Sequence, residues 1–272
     1  DAPAPGSVIL SFQGPAIFHN MVDQSGHFSI KGASTKKHSI HKVILEGYKF
    51  DRDTGRTIWA VDKKKTTKAR YRVKMYNPTM ETDLVMFTCR QATVLNLLEP
   101  RTFSYMTKIQ LFDARMDATP LRYWWSRIDT RSSLLASIYL QPGTRFKMTL
   151  SDTLLTKKLI LSHASAEQPD GNGYRIDETP VIAPTQYLAA RDMWHLLNPR
   201  INNLEKKGIN NQKINDLQTK GNKALEQAQT YLADMQYDRF FKAAGNALAL
   251  AGRVYDHVES TQKDVLYGVL FY

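Results

Sequence analysis

One cysteine, Cys89, stands in a chain of 272 residues. That excludes an internal disulfide framework and a cysteine-only zinc cluster. No run of about 18 apolar residues occurs, so no segment reads as a complete membrane-spanning helix. Glycine (14) and proline (11) are ordinary in number, which excludes collagen-like and low-complexity chains. The sequence has no G-x-S-x-G elbow, no H-E-x-x-H pair and no Walker loop. It also has no helix-turn-helix, RNA-recognition or zinc-finger signature, so nothing beyond charge favours nucleic acid. Paired carboxylates need share no spacing, and a dispersed hydrolytic site is the enzymatic alternative these residues leave open.

What is present is an ordinary folding composition, 42% apolar and 23% charged, with a formal charge of +11. The length fits two domains or more. Residues 1–80 hold fourteen Lys/Arg against six Asp/Glu, so most of the surplus lies there. Lys63-Lys64-Lys65, Lys68, Arg70, Arg72 and Lys74 form a cationic loop and strand. Such a stretch suits anionic lipid headgroups or phosphates, or simply a solvated surface.

Short apolar runs separated by turn residues fill residues 7–182. Ser7–Phe12, His27–Ile30, His41–Leu45, Gly47–Phe50, Arg56–Val61 and Ala69–Tyr76 read as strands of a first β-sandwich-like unit. Leu84–Arg90, Phe103–Phe112, Leu134–Leu140, Arg145–Leu150 and Lys158–Ser162 read as strands of a second. After Pro184 the apolar period becomes helical. Thr185 is placed to cap a helix over Gln186–Leu197, and Pro199 to separate it from a short helix ending near Gly208. Two longer amphipathic segments follow, broken at Asp234-Met235-Gln236, too short a break for anything but an antiparallel hairpin. Leu225, Ala228, Tyr231 and Leu232 are expected to meet Phe240, Phe241, Ala244, Leu248 and Ala251. Gly221 costs the first of these helices about 1 kcal/mol relative to Ala. The fold class is therefore β-sandwich units followed by an α-helical hairpin, a multidomain β plus α chain. The divisions are 1–80, 81–184 and 185–272, with the hairpin expected to stand as a stiff spacer sharing few core contacts with the β units.

Both ends suggest a membrane setting. Asp1-Ala2-Pro3-Ala4-Pro5-Gly6 is the short Pro-rich start that cleavage of a secretory leader leaves, and a trimmed start reads the same. Asp264–Tyr272 grows steadily more apolar, as the first turns of a membrane helix do; a terminal helix packed on the core is the alternative.

Individual residues give little chemistry. His38 and His41 sit among Lys36, Lys37 and Lys42, a poor surrounding for a cation. Asp51, Asp53 and Gly55 open like a calcium loop but lack the distal Glu, which favours an Asp/Gly turn. Cys89, behind Leu84–Phe87, reads as a small buried hydrophobe. Tyr123-Trp124-Trp125 reads as core filling, with a stacking surface as the alternative. No catalytic, cofactor-binding or metal residue is assigned, and no cofactor is expected.

Two resemblances add to this. Asp23-Gln24-Ser25-Gly26-His27-Phe28, followed by the strand ending Gly47-Tyr48, resembles the carboxypeptidase regulatory-like domain, a transthyretin-like sandwich. Pro142–Lys147, Gly173–Thr179, Ala189–Trp194, the hairpin and Lys263–Tyr272 together resemble the extracytoplasmic region of large bacterial membrane proteins of the FtsX-like, ABC-permease type. The resemblance implies a non-catalytic extracytoplasmic region, periplasmic or at the cell surface, that binds other subunits of a transporter-like membrane complex. Lys63–Lys74 would touch anionic lipid.

Overall fold

The computed structural model describes residues 5–13, 16–32, 42–62, 71–75, 77, 79–96, 106, 108–126, 135–151 and 159–270. In chain order the first strands are β1 (Val8–Gln13), β2 (Ala16–Met21), β3 (Lys42–Phe50), β4 (Thr57–Val61), β5 (Tyr71–Lys74) and β6 (Met86–Thr88). Then come β7 (Arg90–Val94), β8 (Lys108–Asp113), β9 (Tyr123–Trp125), β10 (Ala136–Leu140), β11 (Arg145–Ser151), β12 (Leu159–Leu161), β13 (Tyr174–Arg175) and β14 (Val181–Ile182). Three helices close the chain: α1 (Thr185–Lys206), α2 (Gln212–Ala233) and α3 (Tyr237–Leu270).

The strands form three sheets. The first runs β2-β1-β3-β4-β6, and β5 pairs with the opening half of β3. The second runs β14-β7-β10-β9, with β14 and β7 parallel. In the third, β11 carries β8 on one edge and β12 and β13 on the other. Every residue of β10 is buried, which identifies the second sheet as the middle layer. Ala136, Ile138 and Leu140 belong to the larger core, with the third sheet and the helices. Tyr139 faces the smaller core, with Ile9, Leu45, Ala60 and Phe87 of the first sheet. Period-2 alternation thus feeds two cores from one strand. Trp124 is buried in the smaller core, and its indole N–H donates to the Tyr48 hydroxyl at 3.1 Å. The aromatic triplet is core filling at that position.

The β6 strand lies beyond residue 80 yet pairs with β4, so the division placed there on sequence grounds cuts the first sheet. One residue later the chain has crossed into the second sheet as β7.

The helices form a bundle in which α3 packs on both α1 and α2, and α1 lies against the third sheet. Ala190, Trp194, Leu197, Ile201 and Leu204 recur at helical spacing and are buried. This helix packs on β12 and on α3, and one continuous core runs from β10 and β11 through α1 to Leu248, Val254 and Val258 of α3. The antiparallel hairpin of α2 and α3 is present, but it is not a free-standing spacer. Pro199 lies inside α1 instead of ending it. Its lost backbone donor is tolerated because Leu197 and Ile201 are buried on either side. Thr185 does not cap: its hydroxyl is directed at the carbonyls of Leu95 and Ile182, and Pro184 occupies the N-cap without a side-chain bond. Leu232 and Phe241 are exposed, at 37% and 47%, and Gly221 and Ala224 take the buried stripe instead.

No described helix is long and apolar enough to cross a membrane. Beyond Val258, the last residue of α3 described as buried, the helix continues for about 18 Å at 1.5 Å per residue. Val265, Leu266, Tyr267 and Leu270 are all exposed on it. The alternative of a terminal helix packed on the core does not hold for these residues.

Candidate functional site

A groove of about 620 Å³ lies on the first sheet. Its floor is Val43 and Leu45 from β3 with Val73 of β5 and Met75 just after it. Residues two apart on a strand share a face, and the register sets Val43 opposite Val73, so the floor is a continuous apolar strip. One wall is the segment His27–Gly32, launched by a tight turn in which Asp23 Oδ1 accepts from the backbone N–H groups of Ser25 and His27 at 2.9 Å. The Ser25 hydroxyl first, and then the His27 and Ser25 backbone N–H groups, hold the Asp23 carboxyl below its usual range. Phe28 and Ile30 point inward and are half-buried, whereas His27, Ser29 and Lys31 point outward. This is the alternation expected of a strand there, but the segment carries no ladder pairing. Thr79–Asp83 also lines the groove, so that Glu81 and Asp83 bring acid to the lining and Lys31 brings base. An apolar floor with charges of both signs in the lining suits an extended peptide or a cluster of apolar side chains. No catalytic apparatus is needed for that.

Two carboxylates elsewhere, Asp192 and Asp51, are engaged structurally. Asp192 of α1 is fully buried and is a hub. Its Oδ2 accepts from the backbone N–H of Ser162 at 2.7 Å, of His163 at 2.8 Å and from the Tyr174 hydroxyl at 3.1 Å. Its Oδ1 accepts from Ala164 N–H at 3.2 Å and from the Arg191 guanidinium at 3.0 Å. Every lone-pair direction of the carboxylate is thereby occupied, and no face remains for a substrate. Burial, and then the Asp192 charge, push the Tyr174 hydroxyl well above the usual tyrosine range. Asp51 accepts from the backbone N–H and hydroxyl of Thr54, the ordinary Asp/Gly turn, and these bonds lower its carboxyl.

Cys89 is buried and its thiol is pushed up to about 12 by burial. A thiolate fraction on the order of 10⁻⁴ follows at about pH 8. Native protein should therefore resist a disulfide-exchange reagent, and labelling should appear only with global unfolding in urea. Rapid stoichiometric labelling of native protein would show an open site at Cys89.

His38, His41 and the run Lys63–Arg70 lie outside the described residues. Arg72 and Lys74, at the end of the basic stretch, are exposed on β5 beside the groove. Among the described residues, no group of three His, Cys, Asp or Glu side chains is arranged to hold a metal ion. Sequence reading missed the groove because its lining comes from four separated segments. The Asp-x-x-Gly turn at Asp23 was the one local signal, and it marks the wall and not the floor. Comparison with known proteins returns no match: no family model, curated protein or solved structure aligns with this chain.

Proposed function

We propose that this chain is the extracytoplasmic region of a bacterial membrane protein, a non-catalytic module that binds other subunits of a transporter-like complex. The observation that carries the reading is the end of α3. Leu266 and Leu270 are 57% and 72% exposed, one turn apart, on a helix that has left its bundle. Isolated helical turns are marginal in water, and an apolar extension of this kind is stabilised by seating in a bilayer. The groove on the first sheet supplies a place for a partner segment, and Lys63–Lys74 adds attraction to anionic headgroups.

Flotation of the chain with vesicles tests the membrane half of this reading. The protein should rise with vesicles of phosphatidylethanolamine and phosphatidylglycerol. Replacing Leu266 and Leu270 together by Asp should weaken partitioning at least about tenfold, since each buried leucine contributes about 1.5–3 kcal/mol. Added salt should weaken the anionic contribution and leave the apolar one. Wild-type protein that stays with the unfloated fraction, or a double variant that floats equally well, overturns the membrane-proximal placement.

A further inference from the structure

At one end of the third sheet, three arginines and a glycine line an open cleft of about 450 Å³: Arg115, Arg145, Arg175 and Gly143. We propose that this cleft is a binding site for a phosphoryl group, independent of the groove and of the end of α3. The backbone holds the three side chains together. Arg145 opens β11 and stands directly opposite Arg175 of β13 in the antiparallel register. The turn carrying Arg115 is tied to the same strand, because Ala114 N–H donates to the Arg145 carbonyl at 2.9 Å. Ile176 N–H donates to the Thr144 carbonyl at 3.1 Å and fixes the third element. Like charges facing each other across two strands are destabilising, so the pairing of Arg145 with Arg175 is unfavourable for folding alone.

Nearby carboxylates engage two of the three guanidinium groups and leave Arg145 over. Asp177 Oδ2 accepts from Gly143 N–H at 2.7 Å, and Oδ1 lies 3.6 Å from Arg90. Glu178 pairs with Arg175 at 2.5 Å. Asp113 accepts from the backbone N–H of Arg115 at 2.9 Å and sits 3.8 Å from its guanidinium. Arg145 has no carboxylate partner among the described residues. Its fork therefore has donors to offer, beside a second guanidinium that is held on the Gly143 carbonyl at 3.3 Å. Planar guanidinium forks match the oxygens of a phosphoryl group bidentately, and the unpaired fork of Arg145, with Arg115 and Arg175 beside it on a sheet end, suits such a group.

The test is thermal unfolding and calorimetric titration of the full chain with inorganic phosphate at low salt, with chloride at matched ionic strength as the reference. Phosphate at about 10 mM should raise the Tm of the wild type, and titration should give a saturable site. Arg145→Gln should weaken that site at least about tenfold and abolish the phosphate-dependent shift. In the absence of phosphate the same variant should melt about 1–2 °C higher, because a like-charge contact is gone. Arg239→Gln, at the tip of the helical hairpin, removes the same charge elsewhere and should leave the site unchanged. Vesicles of phosphatidylglycerol, whose phosphate is a monoanionic diester, separate a lipid source from a free phosphate. Competition of inorganic phosphate with those vesicles, lost in Arg145→Gln, assigns the headgroup; no competition assigns a free phosphoryl ligand. No saturable phosphate binding, or equal binding by Arg145→Gln and the wild type, overturns the proposal.

Discussion

Asp192→Ala is expected to lower the unfolding free energy by about 3–5 kcal/mol, and Asp192→Asn by about 3 kcal/mol. The cause is what the carboxylate leaves behind. Ser162, His163 and Ala164 present three consecutive backbone N–H groups to it, and Tyr174 adds a hydroxyl. Without Asp192 these donors face an apolar interior formed by α1 and the third sheet, where each unmet donor costs about 1–3 kcal/mol. Asparagine keeps the volume but turns an amino group toward donors on one side or the other. The ion pair itself matters less. Arg191 is 26% exposed, and water screens its charge. Arg191→Gln should therefore cost under about 1 kcal/mol. Urea unfolding followed by tryptophan fluorescence measures all three. A loss from Arg191→Gln as large as that from Asp192→Asn would mean that the pair, and not the cluster of backbone donors, is what Asp192 supplies.

Much of the β architecture was legible because strands with two-sided burial alternate or run apolar. Arg145–Leu150 alternates and is β11, and Leu134–Leu140 runs apolar and is the fully buried β10. Legibility failed where one residue answers to a distant one. Asp192 sits in an ordinary helical stretch, Ala-Ala-Arg-Asp-Met-Trp, where a carboxylate is expected to face water. Its partners lie some thirty residues upstream, in the chain after β12. Thr185 has the right type for a cap, yet Leu95, ninety residues away, takes its hydroxyl. Pro199 has the right type for a break, yet burial on both sides holds the helix together. Both candidate sites are of this kind. The groove joins residues 27–32, 43–45, 73–75 and 79–83, and the arginine cleft joins residues 115, 143–145 and 175. No local spacing rule connects segments that only a sheet brings together.

Gly221 shows the same point with a change of sign. Helix propensity alone makes Gly221→Ala stabilising by about 1 kcal/mol. The packing makes it destabilising. A Cβ at position 221 would lie 1.9 Å from Cζ2 of Trp194, 2.6 Å from Cε2 and 2.7 Å from Cη2. These are atoms of a rigid ring, not the tip of a flexible chain. The ring has no room to retreat, because Trp194 is 1% exposed and its indole N–H donates to the Ala247 carbonyl of α3 at 3.1 Å. The glycine of α2 is thus the slot into which α1 inserts its indole, and α3 holds the far side. Overpacking of this kind costs about 1–3 kcal/mol after relaxation, and more where the indole hydrogen bond breaks too. The net expectation for Gly221→Ala is a loss of about 2 kcal/mol or more, and a larger one for Gly221→Val. Because α1 also lines the core shared with the third sheet, the loss should appear as one cooperative transition of the second β unit with its helices. Trp194→Phe supplies the control. The smaller ring costs stability by itself but makes room at position 221, so in that background Gly221→Ala should be neutral or stabilising. A coupling energy above about 1 kcal/mol between the two sites is the signature of direct contact. Additive effects, or a Gly221→Ala protein that melts higher than the wild type, would place the indole elsewhere and separate α1 from the hairpin.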